Sequence, residues 1–338
     1  QRLNRFMPGL LERLDKKSPG KETLDRVFDL VLAICRRSAY LVLLVQYPKA
    51  LDRMLDLFER SDWLADKVIR FPALLDELID PALGHQIPGE NELEASVDRI
   101  LEAAQGTEAV LEGLNYLKLA TELRIAVAQM QGKLAAADVQ RALSDLAAAL
   151  LRGSLDIAGR EIIERHGEFP GASLTDKRGG ALGIIGYGTL GAAELGYASD
   201  LDLVFLFSPV QGQSDGDRPL PPDRYFARMA QRVLSFLTVM TPSGRLYEVD
   251  TRLRPNGRAG ALVSVTRAFR EYQLNEAWTW ELQALTRARF IAGSQDVAVA
   301  FNRIRLDALC RQRKGEELAT ELLEMRRKMN AEHSTNLH

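Results

Sequence analysis

Apolar positions recur at helical spacing through most of the first half of the chain. Leu24, Val27, Phe28, Val31, Ile34 and Cys35 follow the i, i+3, i+4, i+7 order that predicts one buried helix face. Pro48, Pro72 and Pro81 punctuate short helices with charged outer faces. A loop at HQIPGEN leads into longer helices that run to about Arg165, with breaks expected at Gly106, Gly132 and Gly153. No fixed-period repeat is present. The texture changes near His166, where HGEFPGASLTDKRGG is rich in turn formers. ALGIIGYG then reads as a buried strand, a short helix follows, and LDLVFLF reads as a second strand. PVQGQSDGDRPLPPD is expected to be a mobile polar loop, and a helix is expected from about Arg224 to Thr241. RLYEVDTRLRP alternates like a strand and ALVSV is a further candidate; helices are expected from Thr266 to about Met329. The pattern predicts an α+β protein: a helical region over 1–165, a region of short strands and helices over 166–294, and the start of a C-terminal helical region over 295–338.

Composition narrows the class. The 338 residues are 46% hydrophobic and 27% charged, which is globular composition. Lys plus Arg number 44 against 46 Asp plus Glu, so the chain lacks the basic excess of a protein that binds nucleic-acid backbones. Cys35 and Cys310 stand far apart, which argues against a disulfide framework and fits a reducing cytoplasm. The most apolar window, VFDLVLAICRRSAYLVLLV, is interrupted by Arg36 and Arg37, so no membrane span or signal peptide is expected. The chain begins at Gln1 and stops soon after a helical stretch, which reads as a piece of a longer polypeptide.

Gly186, Gly188 and Gly191 satisfy the G-x-G-x-x-G pattern of dinucleotide-binding folds. The spacing speaks against that reading. The next strand begins after a helix of about eight residues, shorter than the ten or so a βαβ crossover needs. The acids also stand at the start of the second strand, whereas a ribose-binding acid belongs at its end. Those acids carry a different signal. In SDLDLVFLF, Asp200 and Asp202 are two apart at the mouth of an apolar strand, so their side chains point the same way. Two such carboxylates raise each other's pKa unless a cation lies between them, and an oxygen donor set suits Mg²⁺. The competing reading is a solvated turn that happens to hold two aspartates.

A third acid shifts the balance. In RLYEVDTRLRP, Tyr247, Val249 and Leu253 can face a core while Glu248, Asp250, Arg252 and Arg254 share the other face. If this strand lies beside the first, Asp250 completes a three-carboxylate site for two Mg²⁺ ions, which would clamp the oxygens of an in-line phosphoryl displacement. The glycines of GYGTLG would let main-chain N–H groups approach a triphosphate. Arg252 and Arg254 are candidate phosphate ligands, because guanidinium forks match phosphate oxygens. His166 reads as a helix end rather than a catalytic base, and Trp278 and Trp280 as core or wall.

GYGTLGAAELGYASDLDLVF, LYEVDTRLRPNGRAGALVS and NEAWTWELQALTRAR together resemble the bacterial glutamine synthetase adenylyltransferase family, whose domains are DNA-polymerase-β-like nucleotidyltransferases, and this implies a catalytic domain with a small mixed sheet over 166–294. The resemblance runs from about residue 20 to Met329 and is nearest to the family's C-terminal, adenylylating copy. It implies transfer of AMP from ATP to a tyrosine of glutamine synthetase with release of pyrophosphate, and a PII signal protein as regulator of the full-length enzyme. It implies catalytic and metal-binding roles for Asp200, Asp202 and Asp250, and a nucleotide site that includes Gly188, Thr189, Gly191, Ser199, Arg252 and Arg254. The family usually carries Lys where this chain has Thr189. Three alternatives stay open: phosphorolytic removal of AMP, another acceptor as in a PII uridylyltransferase, and a silent regulatory binding module.

Overall fold

The computed structural model describes residues 2–169 and 180–311. The remainder of the turn-rich segment after Phe169 and the helix expected beyond residue 311 lie outside the described residues. Two compact units emerge: the described residues of Gln1–Glu92 and Asn115–Leu143, and those of Leu93–Leu114 and Ser144–His338.

The first unit is helical. It contains α1 (Arg2–Lys17), α2 (Lys21–Ile34), α3 (Ser38–Gln46), α4 (Pro48–Arg60), α5 (Asp62–Arg70) and a 3₁₀ segment, Pro72–Ile79. Pro48 and Pro72 each stand at the first helical position, where a missing N–H costs nothing. The apolar stripe of α2 is narrower than expected. Val27, Val31 and Ile34 are buried, but Phe28 is 42% exposed because it sits at the edge of the stripe rather than within it. Glu122 is fully enclosed and accepts from Lys67 and Lys118, so its charge is compensated inside the unit.

The chain continues through α6 (Glu90–Ala103), α7 (Thr107–Met130) and α8 (Ala136–His166). The breaks expected near Gly106 and Gly132 are present, both glycines with positive φ: Gly106 stands just before α7 and Gly132 just after its end. Gly153 does not break α8. It lies inside the helix because a Cβ there would come within 2.6 Å of Val97 Cγ1 on α6. Its role is close helix approach, which no local propensity reveals.

The sheet belongs to the second unit. β1 (Leu182–Gly186) and β2 (Leu201–Phe207) run antiparallel, with Leu182 opposite Phe207 and Gly186 opposite Leu203. Between them lies only a four-residue helix, α9 (Gly188–Gly191). An antiparallel pair is not a βαβ unit, which removes the dinucleotide reading of the glycines on topological grounds. α10 (Pro222–Thr238) follows. The expected strand at RLYEVDTRLRP shortens to β3 (Val249–Asp250), and ALVSV supplies β4 (Val263–Val265). Both run parallel to β2 and occupy successive lengths of its outer edge. α11 (Thr266–Asn275) and α12 (Thr279–Thr286) precede β5 (Arg289–Gly293), and α13 (Gln295–Leu309) closes the described chain. β5 falls among the helices expected after Thr266, where no strand was expected, and pairs antiparallel with β1.

Strand alternation divides the sheet into two buried faces. Ile185, Val204 and Leu206 pack with Phe269, Leu282, Leu285, Val297, Phe301 and Ile304 of α11 to α13. On the other face Phe207 stacks on Phe226 of α10, ring centroids 4.8 Å apart. Each fully buried apolar side chain of this size contributes roughly 1.5–3 kcal/mol. The loop before α10, expected to be mobile, is pinned: His166 Nε2 accepts from Arg228 at 3.0 Å and its Nδ1–H donates to Arg218 O at 2.7 Å. Gly216 N also donates to His166 O at 3.0 Å.

Candidate active site

The turn from β1 to β2 shapes one wall of the site. Tyr187 N donates to Asp202 O at 2.9 Å, and Gly188 then adopts φ +54°, a left-handed conformation that favours glycine. A Cβ on Gly188 would lie 2.2 Å from Asp202 Oδ2, so the carboxylate rests directly against the glycine backbone. Gly191 is equally constrained, since a Cβ would meet Arg287 O at 2.1 Å and Gly186 O at 2.4 Å. Sequence reasoning assigned these glycines to phosphate approach; their first structural requirement is to admit Asp202 and the Arg287 main chain.

Two arginines that sequence reasoning did not single out hold the same turn. Arg287 Nε donates to Gly188 O at 3.3 Å while its guanidinium pairs with Glu194. Arg289 Nη2 donates to Leu190 O at 3.3 Å. Their signal was TRARF, two arginines entering a short alternating strand. Thr189 is half-buried on α9. Ser199 Oγ accepts from Gly196 N at 3.0 Å and so closes the turn before Asp200.

β3 lies beside β2 in parallel register, with Leu201 opposite Val249 and Asp202 opposite Asp250. Asp200, exposed, immediately precedes β2. The three acids form one electrostatic group. Burial raises the Asp202 carboxyl above the usual range, Asp200 and Asp250 raise it further, and Arg252 opposes them. Asp250 moves the other way, because Arg252 holds it ionised. Arg252 Nε donates to Asp250 Oδ2 at 2.6 Å, Nη2 pairs with the same oxygen, and Arg252 N donates to Oδ1 at 2.8 Å. Among the described residues, no three acidic, histidine or cysteine side chains stand close enough to hold a metal ion as arranged here. The all-oxygen, like-charged donor set of Asp200 and Asp202 fits a hard divalent cation, whereas Asp250 is engaged by Arg252.

Arg254 does not share the face of Asp250 and Arg252. The strand ends at Asp250, and the Arg254 guanidinium turns back into the following loop, where it donates to Thr251, Arg258 and Gly260. Trp278 and Trp280 are not core: they are 70% and 41% exposed at the start of α12. Glu281 is the buried member of that motif, accepting from Tyr272 Oη at 2.8 Å and from Trp278 N at 2.8 Å. Burial and this hydrogen bond push the Tyr272 phenol up to about 12. His166 is the last residue of α8 and has both ring nitrogens engaged. No described helix is long and apolar enough to cross a membrane.

A family model described as glutamate-ammonia ligase adenylyltransferase matches residues 51–304. The chain is similar to bifunctional glutamine synthetase adenylyltransferase/adenylyl-removing enzymes from several bacteria. It is 42% identical over 333 residues to the enzyme of Xanthomonas axonopodis pv. citri, covering 98% of this chain and 34% of the relative. It is 43% identical over 342 residues to that of Pseudomonas syringae pv. tomato, covering 100% and 34%. With the Nitrosococcus oceani enzyme the identity is 41% over 332 residues, covering 97% and 34%. The chain thus spans about a third of the length of these relatives.

Proposed function

Since the chain belongs to the glutamate-ammonia ligase adenylyltransferase family, we propose that it carries an adenylyl-transfer site that moves AMP from ATP to a tyrosine hydroxyl of glutamine synthetase and releases pyrophosphate. The observation that supports this most directly is the parallel register that sets Asp250 opposite Asp202, with Asp200 beside them. That arrangement concentrates negative charge at the start of β2, next to a glycine turn that a side chain would obstruct. Asp200, Asp202 and Asp250 would hold Mg²⁺, which when bound supplies charge neutralisation and Lewis acidity at the phosphates.

The chain's own groups account for the rest. A new bond forms between the tyrosine oxygen and the α-phosphorus as the bond to the β-phosphate oxygen breaks. A free tyrosine hydroxyl has a pKa of about 10, so its proton needs an acceptor. Asp250 is adjacent but remains a weak base while Arg252 holds it ionised. Arg252 is the exposed member, and exchanging the carboxylate for a triphosphate oxygen would free Asp250 for the tyrosine proton. Gly188, Thr189, Gly191 and Ser199 form the turn on which the nucleotide would lie. The same reading makes this the C-terminal, adenylylating copy within a longer cytoplasmic enzyme regulated by a PII signal protein.

The relatives' name couples an adenylylating with an adenylyl-removing activity, and that favours one second reading, in which this site removes AMP with phosphate as acceptor. Incubation with α-labelled ATP, Mg²⁺ and glutamine synthetase, in parallel with labelled adenylyl-glutamine synthetase and phosphate, separates the two. Label incorporation supports the first reading. Phosphate-dependent release without incorporation supports the second, and neither reaction overturns both.

A further inference from the structure

β3 and β4 both pair with β2, yet residues 251–262 leave the sheet edge between them. The cation at the centre of this excursion is Arg254. Its Nη1 donates to Thr251 O at 2.8 Å and to Thr251 Oγ1 at 2.6 Å. Nε donates to Gly260 O at 3.2 Å and Nη2 to Arg258 O at 3.3 Å. One guanidinium thereby joins the first residue of the excursion to residues near its end. The backbone is bent to receive it. Asn256 and Gly257 have φ of +62° and +54°, and a Cβ on Gly260 would lie 1.9 Å from Pro255 O.

We infer that Arg254 is a positioning residue, a fixed cation around which this loop is wound so that Arg252 stands over Asp250, and not itself a ligand of the nucleotide. The inference rests on the proposed function for what the loop serves, and on geometry alone for how it is held. Its donors are committed to the loop, whereas Arg252 is 63% exposed and bonded to a carboxylate that a triphosphate can replace. The loop main chain at Asn256 also reaches the Tyr272 hydroxyl, which Glu281 anchors from α12. Displacing the loop would therefore move Arg252 without removing it. Lysine is no substitute, because donors radiating from one ammonium cannot reach acceptors spread over Thr251, Arg258 and Gly260.

The test uses the full chain and the variants Arg254→Lys and Arg254→Ala, with three readouts. The first is exchange of the Arg252 amide, which donates to Asp250 Oδ1; it should quicken roughly tenfold or more in both variants. The second is ATP affinity by calorimetry at low and high salt; it should stay within about threefold of wild type, with the same salt slope. The third is AMP transfer, where kcat should fall about 100-fold with little change in KM for ATP. A large loss of ATP affinity with unchanged Arg252 exchange would make Arg254 a phosphate ligand and overturn the inference. Full rescue by lysine overturns it too. If the wild-type chain transfers no AMP, the functional reading fails, while the exchange and binding measurements still decide the role of Arg254.

Discussion

Asp202 and Asp250 face each other across the parallel β2–β3 pairing, yet their carboxyls are driven in opposite directions. Burial and two neighbouring aspartates push Asp202 up, whereas the guanidinium and amide of Arg252 hold Asp250 down. A symmetric pair of acids is thereby split into one carboxylate short of positive charge and one already supplied with it.

The first prediction follows from that shortage. Asp202→Asn is expected to cut AMP transfer by at least about 10²–10³, as for loss of a central electrostatic group. The same change should stabilise the fold at pH 7, because a carboxyl with a raised folded pKa resists ionisation in the native state. The gain should be about 1 kcal/mol or less, since the group is only partly buried, and should vanish below the usual carboxylate range, where wild-type Asp202 is protonated folded and unfolded. Urea midpoints at pH 7 and pH 3 beside label incorporation check both halves. Transfer within tenfold of wild type removes Asp202 from the site.

Gly188 is the complementary case. Gly188→Ala places a β-carbon at a left-handed φ and into contact with Asp202 Oδ2. The backbone cost alone is about 1–2 kcal/mol, and relief requires the carboxylate to rotate away. The expected outcome is a lower urea midpoint together with loss of transfer at saturating ATP. A variant with native stability and activity would mean that the turn is looser than its contacts indicate.

How much of this was legible in the sequence depends on whether the determinant is local. Asp200 and Asp202 are visible because a strand places i and i+2 on one side, and the glycine turn is visible from its spacing. Asp250 could be attached only conditionally, since strand adjacency is a long-range fact; the β2–β3 register supplies it. Gly153 and Phe28 misled for the same reason in reverse. A helix tolerates Gly153 because Val97 packs against it, and an apolar periodicity runs past the true contact edge at Phe28. Arg254 was assigned to the face of Asp250 by extending strand alternation through a segment that stops alternating at Asp250. β5 escaped notice because five residues between two helices carry too short a pattern to outweigh them.

Thr189 offers a test of where the nucleotide lies. It is half-buried on α9, beside Gly188. Thr189→Lys adds a cation there and is expected to tighten ATP binding several-fold at low salt. The gain should fade toward 0.5 M salt, where screening falls to a few ångströms. Calorimetric titration at two ionic strengths checks it. An unchanged dissociation constant at low salt places the triphosphate elsewhere.

The last prediction concerns the scaffold behind the sheet. Glu161, on α8, accepts from Arg232 of α10 through both oxygens, with the Arg232 Nη2 contact at 2.9 Å, and from Thr107 Oγ1 of α7 at 2.9 Å. The Arg232 hydrogen bonds are the main cause that holds its carboxyl below the usual range, against an opposing burial effect. A depressed folded pKa means that the contact stabilises the fold fully above the unfolded value of about 4.3 and is lost as pH falls through the folded value. Glu161→Gln should therefore lower stability by roughly 1 kcal/mol at pH 7, the scale of a partly exposed bidentate pair. The difference from wild type should shrink steadily below pH 4, because protonating Glu161 does what the substitution has already done. Denaturant midpoints of both proteins at pH 7, 5 and 3 measure it, and a gap that stays constant across that range would show that the substitution acts through packing instead of charge.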